Sequence, residues 1–156
     1  MSTAILPLPL AEPLKFLLAG NAYFTAVSEK TGTRFTYRVA QAKPRDGESS
    51  TPRLWFVSAL TGPDNTADYS YLGLIRPPAS GSPTPLLCYE HGMKSKIAAT
   101  APSAVAAHWL FRQILRSRPL PHCSIYHEGR CGRCGRTLTV PESILSGFGP
   151  ECIEHV

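Results

Sequence analysis

A chain of 156 residues with 43% hydrophobic and 17% charged positions holds enough apolar material for one folded core and too little charge for a disordered polymer. Its net charge of +5 points to nucleic acid or an acidic protein surface as a partner, and no apolar run reaches the length of a membrane span. The first twenty residues lack a basic start, are broken by Pro7, Pro9 and Pro13, and carry Glu12 and Lys15 where a signal peptide would be apolar, so a cytoplasmic location is expected.

Asn21 to Ala40 reads as two runs rich in Tyr, Phe, Thr and Val on either side of Glu29-Lys30-Thr31-Gly32, which predicts a β-hairpin. Residues 41–53 have the Pro, Gly, Ser and charge content of a surface loop. Leu54 to Leu60 and Tyr69 to Ile75 flank Gly62-Pro63-Asp64-Asn65 and predict a second strand pair. After another Pro/Ser-rich loop over 76–85, the short run Leu86 to Tyr89 offers an edge strand. One helix is legible. Thr100 or Ala101 caps it, Pro102 sits in its first turn, and Ala107, Leu110, Phe111 and Ile114 recur at i, i+3, i+4 and i+7, with Arg112, Gln113 and Arg116 opposite. Pro119 and Pro121 end it. A sheet needs a cover for one face, and this amphipathic helix is the segment able to supply it. The expected class is therefore α+β: a small antiparallel sheet with one helix over residues 1–119, followed by a zinc ribbon or treble-clef-like module over 120–156.

The module is read from its cysteines. Cys131 and Cys134 form a C-x2-C knuckle, with glycines at 132 and 135 that allow a tight turn, and Cys152 returns after a span normal for a hairpin that closes a tetrahedral site. The fourth ligand is open between His127, four residues ahead of Cys131, and His155, three residues after Cys152. A thioredoxin-like redox pair does not fit, because Cys131 and Cys134 do not lie at a strand-to-helix junction of a βαβ unit. A base deaminase does not fit either, because His127-Glu128 abuts the knuckle instead of lying on a separate helix. A four-ligand site leaves no position for substrate water, so Zn2+ here is expected to be structural. An odd count of five cysteines, with Cys88 and Cys123 standing apart, agrees with a reducing compartment.

The run C-G-R-C-G-R-x-L-T-x-P-E-S-x3-G-x-G-P-x-C from Cys131 to Cys152 resembles a family of short zinc-binding domains of unknown function found in phage, prophage and actinobacterial proteins. The upstream phrases FTAVSEKTGTRFTYRV and WFVSAL resemble small uncharacterised proteins of tailed phages that carry such a module at their C-terminus. The resemblance implies a phage protein working in the cytoplasm of an infected or lysogenic bacterial host. It also favours His127, since a His-Glu-Gly-Arg ahead of the knuckle matches His127 to Arg130. No activity comes with it.

Residues 1–119 hold thirteen Lys/Arg against seven Asp/Glu, whereas 120–156 hold three against four. The excess concentrates between His91 and His127, where Lys94, Lys96, Arg112, Arg116 and Arg118 meet no acidic residue, making this stretch the candidate face for DNA, RNA or a nucleoprotein complex. Arg130, Arg133 and Arg136 around the knuckle are candidates for phosphate or partner contacts, or else balance thiolate charge. Tyr23, Phe24, Phe35, Tyr37, Tyr69 and Tyr71 alternate along strands, so one sheet face points away from the core, suited to stacking bases or to cross-strand pairing. No phosphate loop, G-x-S-x-G, H-E-x-x-H or paired-carboxylate motif is present, and no small-molecule substrate is evident. The expectation is a non-enzymatic phage accessory protein that binds nucleic acid or a nucleoprotein complex. The alternative is an anti-CRISPR-like inhibitor of a host defence complex that acts by covering a protein surface.

Overall fold

The computed structural model describes residues 13–42, 54–63, 67–78, 86–127, 130–139 and 146–155. Most of the two Pro-rich loops expected at 41–53 and 76–85, and Asp64 and Asn65 of the second turn, fall outside these residues. Helix α1 (Pro13–Leu17) is followed by strands β1 (Asn21–Ser28), β2 (Arg34–Gln41), β3 (Trp55–Leu60), β4 (Tyr69–Arg76) and β5 (Cys88–His91), then helix α2 (Pro102–Leu115) and strand β6 (Cys123–His127). The six strands form one antiparallel sheet in the order β5-β4-β3-β2-β1-β6. The first five make a meander, and β6 returns to the free edge of β1 by pairing Phe24 with His127 and Ser28 with Cys123.

The expected α+β class is what the structure has. Both predicted hairpins form, and the edge strand lies at Cys88–His91, two residues beyond the run expected at 86–89. α2 starts with Ala101 as N-cap and Pro at its first turn. Two elements were not foreseen: the five-residue α1, and β6, which lies inside the stretch read as the zinc module. Residues 123–127 thus belong to the sheet, and the cysteine knuckle begins just after them.

Alternation along the strands puts one face against α2. Phe111 of that helix meets Phe24 at 6.0 Å and Tyr37 at 5.7 Å, both edge-on, and Tyr89 at 5.0 Å. Tyr37 is fully buried yet satisfied, since its hydroxyl donates to Ser103 O at 2.8 Å. At the other end of this face Phe16 and Leu17 of α1 are buried, and Trp55 Nε1 donates to Leu18 O at 3.2 Å. Cys131, Leu138, Phe148 and Cys152 belong to the same apolar cluster as these side chains, so sheet, helices and knuckle share one core.

The opposite face carries cross-strand pairs. Tyr23 packs edge-on against Tyr69 at 5.7 Å, Arg38 lies over the Tyr23 ring at 5.3 Å, and the Thr25 and Thr36 hydroxyls meet at 2.7 Å. Tyr23 is itself buried, so the aromatics of this face are spent largely on one another. Phe56 is the exception, 44% exposed beside Tyr71.

Gly73 of β4 fixes how closely β5 can approach. A Cβ at this position would stand 2.2 Å from the carbonyl oxygen of Glu90. Backbone cannot move aside as a flexible side chain can. Gly73→Ala is therefore expected to cost about 1–3 kcal/mol in denaturant unfolding and to raise amide exchange in β5 selectively, whereas unchanged exchange at Glu90 would contradict this packing.

Candidate metal centre

The knuckle is built on the end of the sheet. β6 delivers the chain to Arg130, which forms an isolated antiparallel bridge with Thr137, and the Cys131 amide donates to Arg136 O at 2.8 Å. Between them the chain turns back on itself: the Gly135 amide donates to Cys131 O at 2.8 Å, with Gly135 at a φ of +79° that favours glycine. Gly132 serves a different need. A Cβ there would come within 2.7 Å of the Phe16 ring, and its carbonyl accepts from the Asn21 amide at 2.7 Å, so the knuckle is sutured to α1 and to the start of β1. Phe148 closes the other side, its ring 5.8 Å from Phe16.

Cys152 arrives on a single 3₁₀ turn, Cys152–His155. The result is a cluster in which the sulfurs of Cys131, Cys134 and Cys152 all lie within 4.8 Å of one another. A tetrahedral ion with metal–sulfur bonds of about 2.3 Å holds its thiolates roughly 3.8 Å apart, so the three need only a small contraction to bind one. Cys131 and Cys152 are buried and Cys134 is exposed. A cavity of about 260 Å³ adjoins them, lined by Thr137, Leu138, Gly149 and Glu151 among others.

The surroundings favour thiolate at Cys131. Burial works against charge on Cys131, but amide donors from Cys134, Gly149 and Arg133, with the Cys134 thiol, outweigh it and hold its pKa down at about 7. The Gly149 contact is a direct N–H to sulfur hydrogen bond of 3.3 Å. The Cys152 pKa is raised, by burial first and by the neighbouring Cys131 and Cys134, against the pull of Arg133, whose guanidinium donates to that sulfur at 3.6 Å. Donor set, spacing and hydrogen bonding all fit a soft or borderline divalent metal.

The other candidate residues divide. His127 is 1% exposed at the end of β6, its ring 6.2 Å from that of Phe16, and it is not a member of the three-cysteine cluster. His155 closes the 3₁₀ turn that Cys152 opens. Arg130 lies over the Tyr23 ring at 4.6 Å, a contact that sequence spacing does not reveal because it depends on the register of β6 against β1. Arg133 is engaged with Cys152, and Arg136 is exposed beside the cysteine cavity. Cys88 and Cys123 are half-buried at the starts of β5 and β6, and burial, reinforced by Glu29, raises the pKa of Cys123.

Lys94, Lys96, Arg112, Arg116 and Arg118 are all exposed. Among the described residues the one ion pair is Arg76 with Glu90, so none of the five is neutralised by a described carboxylate. They do not form one cluster. β5 runs antiparallel to α2, since Cys88 and Leu115 line one groove together while Tyr89 packs on His108 and Phe111. Lys94 and Lys96, beyond the end of β5, therefore sit toward the N-terminal end of α2, about 20 Å of helix away from Arg116.

Residues 124–156 match DUF6011, a family of unknown function. The match covers β6, the knuckle and the 3₁₀ turn, a minority of the chain. No curated protein and no solved structure matches the chain. Among the described residues no helix is long and apolar enough to cross a membrane.

Proposed function

We propose that this protein is a non-enzymatic accessory protein, stabilised by one structural Zn2+, that binds nucleic acid. The observation that carries the reading is the set of five exposed cations, Lys94, Lys96, Arg112, Arg116 and Arg118, without a carboxylate partner among the described residues. Cations left unpaired over some 20 Å suit an extended polyanion better than a single phosphate. The phage setting is supported by the resemblance of Cys131 to Cys152 and of the upstream strands to phage proteins.

Zinc is the metal whose chemistry the three thiolates favour, and its role would be to tie Cys131, Cys134 and Cys152 into the common core. His155 is our choice of fourth ligand over His127. His155 follows Cys152 by three residues on the same 3₁₀ turn, whereas His127 is not a member of the three-cysteine cluster. His155→Ala should then weaken zinc binding in a competition with a chromogenic chelator, and a larger loss from His127→Ala would reverse the assignment.

Binding is tested by fluorescence anisotropy with a random-sequence oligonucleotide at about 50 and 200 mM salt. We expect affinity to fall steeply with salt, and the log–log slope to shrink by about 1 in Arg112→Gln and by the same amount in Arg116→Gln, as each removes one cation from the phosphates. No binding at the lower salt would remove the reading and leave a protein surface as the target class.

A further inference from the structure

Helix α2 presents an exposed stripe that its role as a sheet cover does not explain. Val105, Trp109, Arg112 and Arg116 are spaced by four, three and four residues, which puts them along one side of the helix, and all four are exposed. Trp109 is 40% exposed. On one flank of the stripe lies a groove of about 380 Å³ between α2, the β1–β2 hairpin and the segment entering β6. Its apolar walls include Phe35, Ala106 and Trp109, and its polar side chains include Lys30 and His122; no described carboxylate lines it. The hairpin wall is held by main-chain bonds, Ser28 N to Thr33 O at 2.9 Å and Glu29 N to His122 O at 2.8 Å. On the other flank Arg112 and Arg116 line the groove against β5.

An aromatic wall with cations on both sides is the arrangement that binds unpaired bases: the ring takes the π-face of a base while the cations follow the phosphates, and Glu29, which acts on Cys123, lies outside the lining. The volume lies within the range of small-ligand pockets and is ample for one base. We propose that this groove receives a single unstacked base of a single-stranded nucleic acid, with Trp109 as the stacking platform, Lys30 and His122 facing the phosphate on one side, and Arg112 and Arg116 the backbone on the other. The proposal rests on the nucleic-acid reading above and narrows it to single strands. It also moves the stacking surface from the open sheet face to the flank of the helix, because Tyr23 and Tyr69 are engaged with each other and with Arg38.

The test uses the full-length zinc-loaded protein and an oligothymidine of roughly twelve nucleotides, with a duplex of equal length for comparison. Anisotropy gives affinity, and tryptophan emission reports stacking, since Trp55, the other tryptophan, is buried. The single strand is expected to bind more tightly than the duplex and to quench emission. Trp109→Leu should abolish the quench and lower affinity roughly tenfold or more. Ala106→Leu, which fills the groove but keeps Trp109, should lower it comparably, and thermal melts establish that both variants remain folded. If the single strand binds all three proteins equally, or the duplex binds as well as the single strand, the groove is not a base site while the nucleic-acid reading stands. Loss in Trp109→Leu without loss in Ala106→Leu would place stacking on the helix surface and also overturn the groove. If no oligonucleotide binds even at low salt, both readings fall together.

Discussion

Cys131→Ser is expected to lower the melting temperature of the whole protein by roughly 10–20 °C and to abolish stoichiometric zinc, as read by calorimetry and elemental analysis. The size follows from where the residue sits. Cys131 is fully buried and belongs to the same apolar cluster as Phe16, Val57 and Ile125, so disrupting the cysteine cluster opens the core that the sheet also uses. Had the knuckle been an appendage, its loss would leave a sheet melting at the original temperature. A single cooperative transition shifted downward is the outcome that agrees with one core, and two transitions with an unshifted upper one would contradict it.

Phe16→Ala should destabilise the protein by about 3–5 kcal/mol in denaturant unfolding. The ring is 1% exposed and fills the space bounded by Gly132, Phe148 and His127, at 5.8 Å from Phe148 and 6.2 Å from His127. Nothing near it can collapse inward easily, because Gly132 is pinned to Asn21 and to Gly147 by main-chain hydrogen bonds of 2.7 and 2.9 Å. A second readout separates packing from simple loss of area: zinc should pass to a chelator faster in this variant, since Phe16 backs the knuckle. A destabilisation below about 1 kcal/mol would mean that α1 does not hold the site.

What the sequence disclosed and what it hid follow a physical line. The β1–β2 hairpin was legible because two strand-length runs rich in aromatic and β-branched residues flank a turn, and α2 because Pro102 marks its start and Ala107, Leu110, Phe111 and Ile114 repeat at helical spacing. α1 was not, since PLKFL is little more than one turn and its helicity depends on burying Phe16 and Leu17. β6 escaped for a different reason. CSIYH is a short run whose Cys and His drew attention as metal ligands, and its strand character comes from the free edge of β1, which only the assembled sheet provides. At the candidate metal centre the spacing of Cys131, Cys134 and Cys152 made their clustering legible, whereas spacing alone does not choose between the histidine at the end of β6 and the one on the 3₁₀ turn. The arginines were the least legible. Arg130 over Tyr23 and Arg133 on Cys152 are three-dimensional contacts between distant segments, and charge counting treats them as equal to Arg112 and Arg116, which no described carboxylate neutralises.

The return of β6 to β1 has a consequence for how the protein is made. The bond from Ser124 Oγ to Glu29 Oε1 joins residues 95 apart, and β1 lies between β2 and β6, so one edge of the sheet is open until the C-terminal segment has left the ribosome. The nascent chain can form the local meander early, but it exposes the β1 edge and the underside of Phe16 until β6 and the knuckle arrive. Closure of this kind is non-local and so comes late in folding, and the packing of the cysteine knuckle against Phe16 then completes a sheet that is otherwise already assembled.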